Sequence, residues 1–164
     1  MITVSGAITR MIEISNGNQH DIGHFLKVWA YARTIGEAEE LDERTLKTLE
    51  LAAIVHDISC PSLRRDHGSA PGSLQEDCSP NLIREFYTDN DMDKEMLDRI
   101  CYLVAHHHTY SNVDGMDYQI LLEADFLVNA GEQEKFFKAA GKFGENVFMT
   151  KTGKKLLEDM YLDR

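Results

Sequence analysis

The stretch that decides the fold is Leu51-Ala-Ala-Ile-Val-His-Asp-Ile58, an apolar run that closes on a histidine and an aspartate. A second run has the same character: Ile120-Leu-Leu-Glu-Ala-Asp125-Phe-Leu-Val128. His24 precedes the first run, and the triplet His106-His107-His108 falls between the two. Imidazoles and carboxylates on otherwise greasy segments are costly to bury unless something satisfies them. A metal ion does so economically, since it takes neutral imidazole nitrogen and carboxylate oxygen together.

Working outward, the chain reads as almost entirely helical, with few runs of period two and only three prolines. A first helix is expected over 5–15, stopped by Asn16-Gly17, which tolerate the left-handed conformation. A second is expected over 21–40, with His24, Val28, Tyr31, Ala32 and Ile35 facing inward. A third opens at the capping residue Asp42 and carries Leu46, Leu49, Ala53 and Asp57. The stretch 59–79, with Pro61, Gly68, Pro71, Gly72 and several serines, reads as a long functional loop. Ser79-Pro80 then reads as the start of a fourth helix, with Leu82, Ile83, Phe86 and Tyr87 on its apolar face. A fifth helix runs from Asp93 into the histidine triplet, a sixth opens near Asp117, and the tail offers pieces around 134–142 and 153–162.

At 164 residues the chain has the length of one domain. We expect a metal-site core over about 20–130 and a C-terminal helical extension over about 131–164. The formal net charge of −11 argues against nucleic acid as a partner, because phosphate-backbone affinity needs clustered Lys and Arg. No window approaches the ~18 apolar residues of a membrane span. The first residues lack the pattern of a signal peptide, so a cytoplasmic location is expected. Three cysteines without Cys-x-x-Cys spacing fit reduced thiols rather than a disulfide framework or a zinc ribbon. Oligomeric state is left open.

Each polar group has a plainer reading when taken singly. A lone histidine on an apolar face is usually a satisfied core residue, a buried aspartate is usually a cap or half of an ion pair, and a His-Asp pair is common by chance. Together, four such groups from three apolar helix faces point to one centre: His24, His56, Asp57 and Asp125. In the triplet, His107 lies seven residues after Ile100 and three after Val104, which turns it inward. His108 aligns with Cys101 and Val104, and His106 points elsewhere. His107 and His108 therefore rank ahead of His106 as groups for a second site.

The ordered set His24 … His56-Asp57 … Asp125 resembles the HD-domain superfamily of metal-dependent phosphohydrolases. The flanks are similar too: His24-Phe-Leu-Lys-Val28, the octapeptide 51–58, and Glu123-Ala-Asp125. Ser59 stands where the family often has glycine. The resemblance implies an all-α, single-domain helical bundle of the HD-domain and phosphodiesterase-like type. It carries His24, His56, Asp57 and Asp125 over as ligands of one divalent metal, with a second ion held by His107, His108 and His67 or Glu76. Mixed imidazole and carboxylate ligation favours iron, manganese, nickel or zinc over calcium. The implied reaction is hydrolysis of a small phosphorylated metabolite, a nucleotide or phosphate ester, by metal-activated water. Asp57, Glu76, His107 and His108 are the candidate catalytic groups. Arg64, Arg65 and Lys27 are the candidate phosphate contacts, although the two arginines also suit a solvated loop. The competing readings are a di-iron oxygenase on a related helical His-Asp scaffold and a non-catalytic metal- or ligand-binding module.

Overall fold

Side chains that accept hydrogen bonds from the free N–H groups of a first turn mark where most helices begin. In the computed structural model, which describes residues 2–88 and 91–162, Thr3 caps α1 (Val4–Ile14), Asn18 caps α2 (Gln19–Ala38) and Asp42 caps α3 (Glu43–Val55). Asp93 caps α6 (Lys94–His106), and Thr150 caps α9 (Lys151–Leu157). Between and after these lie α4 (Cys60–His67), α5 (Gly72–Phe86), α7 (Met116–Glu132) and α8 (Glu134–Asn146). A π-helical turn, Glu158–Leu162, follows α9. The stop after α1 is the expected one: Asn16 and Gly17 both have positive φ, 47° and 77°. Among the described residues there is no strand, and the all-α expectation holds.

Two helices are buried nearly all round and form the centre. In α3 every residue from Thr48 to Val55 is buried, and in α7 every residue from Asp117 to Val128. The amphipathic α2 packs on both, burying His24, Phe25, Val28, Ala32 and Ile35. On the other side α6 lies against α3 and α5. Arg99 of α6 ties down the start of α7 with two bonds to Asp117, 2.9 Å from Nε and 2.6 Å from Nη2. The last helices cover the remaining face of α7. No helix among the described residues is long and apolar enough to cross a membrane.

The segment 59–79 departs from the expected loop. It is a helical hairpin whose glycine and prolines punctuate rather than break it. Pro61 sits in the first turn of α4, where its missing N–H costs nothing. Gly68 ends α4 in the left-handed conformation, φ 75°, and Pro71 precedes α5. Pro80 lies inside α5 rather than at a helix start. The carbonyl it leaves without an intrahelical partner is that of Glu76, an exposed residue that water can reach. The hairpin is locked by Ser59 and Ser79, both fully buried, with their hydroxyls 3.0 Å apart. α3 also ends earlier than expected. His56 is its C-cap, and Asp57 lies in the turn leading to α4, where its carbonyl accepts from Cys60 N at 2.9 Å.

Candidate metal centre

Four helices deliver side chains to one buried point. His24 comes from α2, His56 from the C-cap of α3 and Asp57 from the turn after it, His107 from the C-cap of α6 and Asp125 from the middle of α7. His56 and His107 are 0% and 1% exposed, Asp125 5%.

The imidazoles are oriented from behind. His24 Nδ1 lies 2.8 Å from Glu132 Oε2, His56 Nδ1 2.8 Å from the Ala53 carbonyl, and His107 Nδ1 2.7 Å from the Val104 carbonyl. Each partner is an acceptor, so each Nδ1 carries the proton and each Nε2 presents its lone pair to the centre. Those Nε2 atoms face carboxylates and one another. His24 Nε2 is 3.1 Å from His56 Nε2, 3.5 Å from Asp57 Oδ2 and 3.4 Å from Asp125 Oδ1. His56 Nε2 is 3.6 Å from Asp57 Oδ2 and 3.3 Å from Asp125 Oδ1, and His107 Nε2 is 3.2 Å from Asp57 Oδ1. Three of these buried atoms, Asp57 Oδ1, Asp125 Oδ1 and His107 Nε2, have no hydrogen-bond partner.

Lone pairs that point at lone pairs in a buried site are costly, and a cation between them, a proton or a metal ion, relieves the cost. Metal–ligand bonds of ~2.0–2.2 Å put neighbouring ligand atoms roughly 2.8–3.6 Å apart, at angles from octahedral to tetrahedral. The spacings among His24, His56 and Asp125 fall in that range, so these three fit a divalent ion, with Asp57 Oδ2 3.5 and 3.6 Å from the two imidazoles. Two further groups of three also come close enough to hold an ion: His56, Asp57 and His107, and His107, His108 and Asp125.

The electrostatics agree. Burial opposes a charge on His24, but the neighbouring carboxylates of Asp125, Asp57 and Glu132 win and raise it to about 9. On His107 burial likewise loses to Asp57, and its pKa rises. Asp57 and Asp125 are both held below the usual carboxylate range. Burial would raise them, but the surrounding imidazoles prevail: His56 and His107 for Asp57, His24 and His56 for Asp125. The cluster therefore draws positive charge, and a metal entering it displaces the proton that His24 otherwise attracts. His108 behaves differently: burial and its neighbour His107 push it down to about 4.

A polar pocket of about 110 Å³ opens beside the cluster, lined by His24, Asp57, Cys60, Asp21, Arg64 and Glu132 among others. Arg64 stands in its wall, bonded to Asp21 at 2.5 Å. Arg65 is on the other side of α4, paired with Asp66 and lining a separate, partly apolar cavity of about 320 Å³. Lys27 is exposed, 3.5 Å from Glu132 Oε1. His67 is exposed at the C-terminal end of α4, and Glu76 is exposed and accepts from the Thr109 hydroxyl at 3.3 Å. Among the described residues, neither belongs to a group that could hold a metal. His106 turns away and stacks on Tyr102 with ring centroids 4.2 Å apart.

Two residues that sequence reasoning passed over matter here. Glu132 orients His24 from behind, and it lies seven residues after Asp125 on α7, two turns along the same face. That spacing was a readable signal. Gln75, buried on α5, reaches His108. It carries no charge and sits in a segment that reads as loop, so nothing marked it.

A family model described as HD domain matches residues 21–135, well over half of the chain. No curated protein and no solved structure matches it.

Proposed function

The chain belongs to the HD-domain superfamily of metal-dependent phosphohydrolases, and on that premise we propose that it hydrolyses a small phosphorylated metabolite, a nucleotide or phosphate ester, with one or two ions of iron, manganese, nickel or zinc. The observation that carries this reading is the convergence of partnerless buried donor atoms, Asp57 Oδ1, Asp125 Oδ1 and His107 Nε2, beside a polar pocket with an arginine in its wall.

His24, His56, Asp57 and Asp125 would hold the first ion, and Asp57 spans toward a second, because its Oδ1 faces His107 while its Oδ2 faces His24 and His56. A divalent ion in such a site polarises a phosphoryl oxygen and makes a coordinated water acidic near neutral pH. The rest falls to the protein's own groups. Glu132, Ala53 and Val104 keep the imidazole lone pairs aimed inward. Proton transfer we assign to His108, which is half-buried beside His107 and Asp125. Arg64 supplies a planar donor for the phosphate once the anion competes with Asp21 for it.

The test is a screen of the purified chain, supplemented with each of the four metals, against a panel of nucleotides and phosphate esters. Turnover of a panel member, with Arg64→Ala raising KM and leaving metal content unchanged, supports the reading. Full metal loading without turnover would leave a binding module instead. The alternative enzyme, a di-iron oxygenase, would use the same groups, with His107, His108 and Asp125 completing its second site. A visible iron absorption band with oxygen consumption would identify it.

A further inference from the structure

His107 and His108 are adjacent in sequence, yet their ring nitrogens are committed in different ways. The bond of His107 Nδ1 to the Val104 carbonyl is made within its own helix end. His108 makes its bond across the fold: its Nε2 lies 3.2 Å from Oε1 of Gln75 on α5. Gln75 is 4% exposed, and its amide has a second partner, with Nε2 donating to the Ala70 carbonyl at 2.7 Å.

That second bond removes the usual ambiguity of a glutamine amide. Turned over, the amide would place Oε1 against the Ala70 carbonyl oxygen, two acceptors at hydrogen-bond distance. The orientation with Oε1 toward His108 is therefore the one in which both ends of the Gln75 amide are paired. An amide oxygen accepts and cannot donate, so His108 Nε2 must carry the proton. The ring has little room to leave this arrangement. One face lies beside Gly72, where a Cβ would already be 3.4 Å from the His108 ring, and the His107 ring is 3.9 Å away between centroids. The turn itself is braced by the Tyr118 hydroxyl, 2.9 Å from the His106 carbonyl and 2.7 Å from that of Thr109.

We propose that Gln75 is a positioning residue: it fixes His108 as the Nε2–H tautomer and leaves Nδ1 as the one nitrogen through which His108 can accept a proton or a metal. His108 sits within ligand reach of His107 and Asp125, so the choice of nitrogen decides from which side this group serves the centre. The use of that nitrogen in catalysis rests on the hydrolase reading; the tautomer does not. The polar segment 59–79 thus contributes to the centre through a buried amide, while its charged members His67 and Glu76 stay outside.

Nitrogen-15 NMR of the histidine side chains tests this on the full chain loaded with diamagnetic zinc, with His108 assigned by comparison with His108→Gln. The wild type is expected to show a protected Nε2–H proton on His108 and no detectable Nδ1–H form. Gln75→Met, which keeps the shape but has no oxygen, should speed exchange of that proton at least about tenfold and let the Nδ1–H form appear, the loss expected for one neutral hydrogen bond. Gln75→Glu, which also loses the bond to Ala70 but keeps an acceptor, should restore the protected signal. A wild-type Nδ1–H tautomer, or an Nε2–H proton equally protected in Gln75→Met, overturns the proposal. If Gln75→Met does not fold, the wild-type tautomer and the Gln75→Glu spectrum decide. Failure of the substrate panel leaves these spectra unchanged, so the two readings fail separately.

Discussion

Glu123 and Asp125 lie two residues apart on α7, both buried, and they lead opposite lives. At ~100° per residue they point to nearly opposite sides of the helix. Glu123, 0% exposed, faces the C-terminal segment and is saturated: Oε1 accepts from Gln119 Nε2 at 2.8 Å, Met149 N at 2.7 Å and Thr150 N at 3.0 Å, and Oε2 accepts from the Thr150 hydroxyl. Gly153 lets the first turn of α9 come this close, because a Cβ there would overlap Glu123 Oε2. Asp125 faces α2 and α3 and meets imidazole lone pairs instead, with Oδ1 left partnerless. A carboxylate whose oxygens are filled by protein N–H and O–H groups holds a fold together. A carboxylate left unfilled in the same interior is a place for a cation. Burial alone does not separate the two, and neither does their side-by-side place in the sequence.

The sharpest way to break this contrast is to neutralise each end. Asp125→Ala should abolish metal retention through desalting and lower any hydrolytic rate by at least about a thousandfold, the scale seen when a catalytic metal's electrostatics are lost. Its metal-free melting temperature should move less than that of the Glu123 variant. Glu123→Ala strands the buried N–H of Thr150, at about 1–3 kcal/mol for an unsatisfied buried donor, while that of the exposed Met149 can turn to water. The melting temperature should fall by roughly 2–12 °C, with metal content unchanged. If Glu123→Ala lost the metal and Asp125→Ala kept it, the division would be wrong.

A smaller effect is expected one layer out. Glu132→Gln keeps an acceptor for His24 Nδ1 but removes the charge, and partners of this kind typically govern 10–100-fold in metal affinity. A competition titration with a chelator reads it, and an unchanged affinity would mean that Glu132 serves only Lys27 and His20. The smallest effect concerns thiols. Burial pushes the Cys60 thiol up and the charge of Asp57 adds to it, while Cys78 is only half-buried. Iodoacetamide should label Cys78 at least about tenfold faster, read by peptide mass spectrometry. Equal rates would show that the Asp57 side of the pocket is open to water.

How much of this was legible follows from what each residue signals. His24, His56, Asp57 and Asp125 stand out because a polar group in an apolar run is conspicuous, and the two runs are the central helices α3 and α7. The inward turn of His107 followed from its spacing to Ile100 and Val104. The hairpin α4–α5 was hidden because proline and glycine mark both loops and helix ends. Only the tertiary lock between Ser59 and Ser79 separates the cases. Gln75 was hidden for a related reason: its role depends on Ala70 and His108, one close in sequence and one in the turn after α6, and an uncharged amide in a polar segment announces neither.

The central claim is that the partnerless atoms form a metal centre. Elemental analysis of the purified chain, loaded in turn with iron, manganese, nickel and zinc and then desalted, tests it most directly, with Asp125→Ala and Glu123→Ala run alongside. The expected result is at least one equivalent of metal retained by the wild type and by Glu123→Ala, and none by Asp125→Ala. Retention of no metal by the wild type, or equal retention by all three proteins, would contradict it.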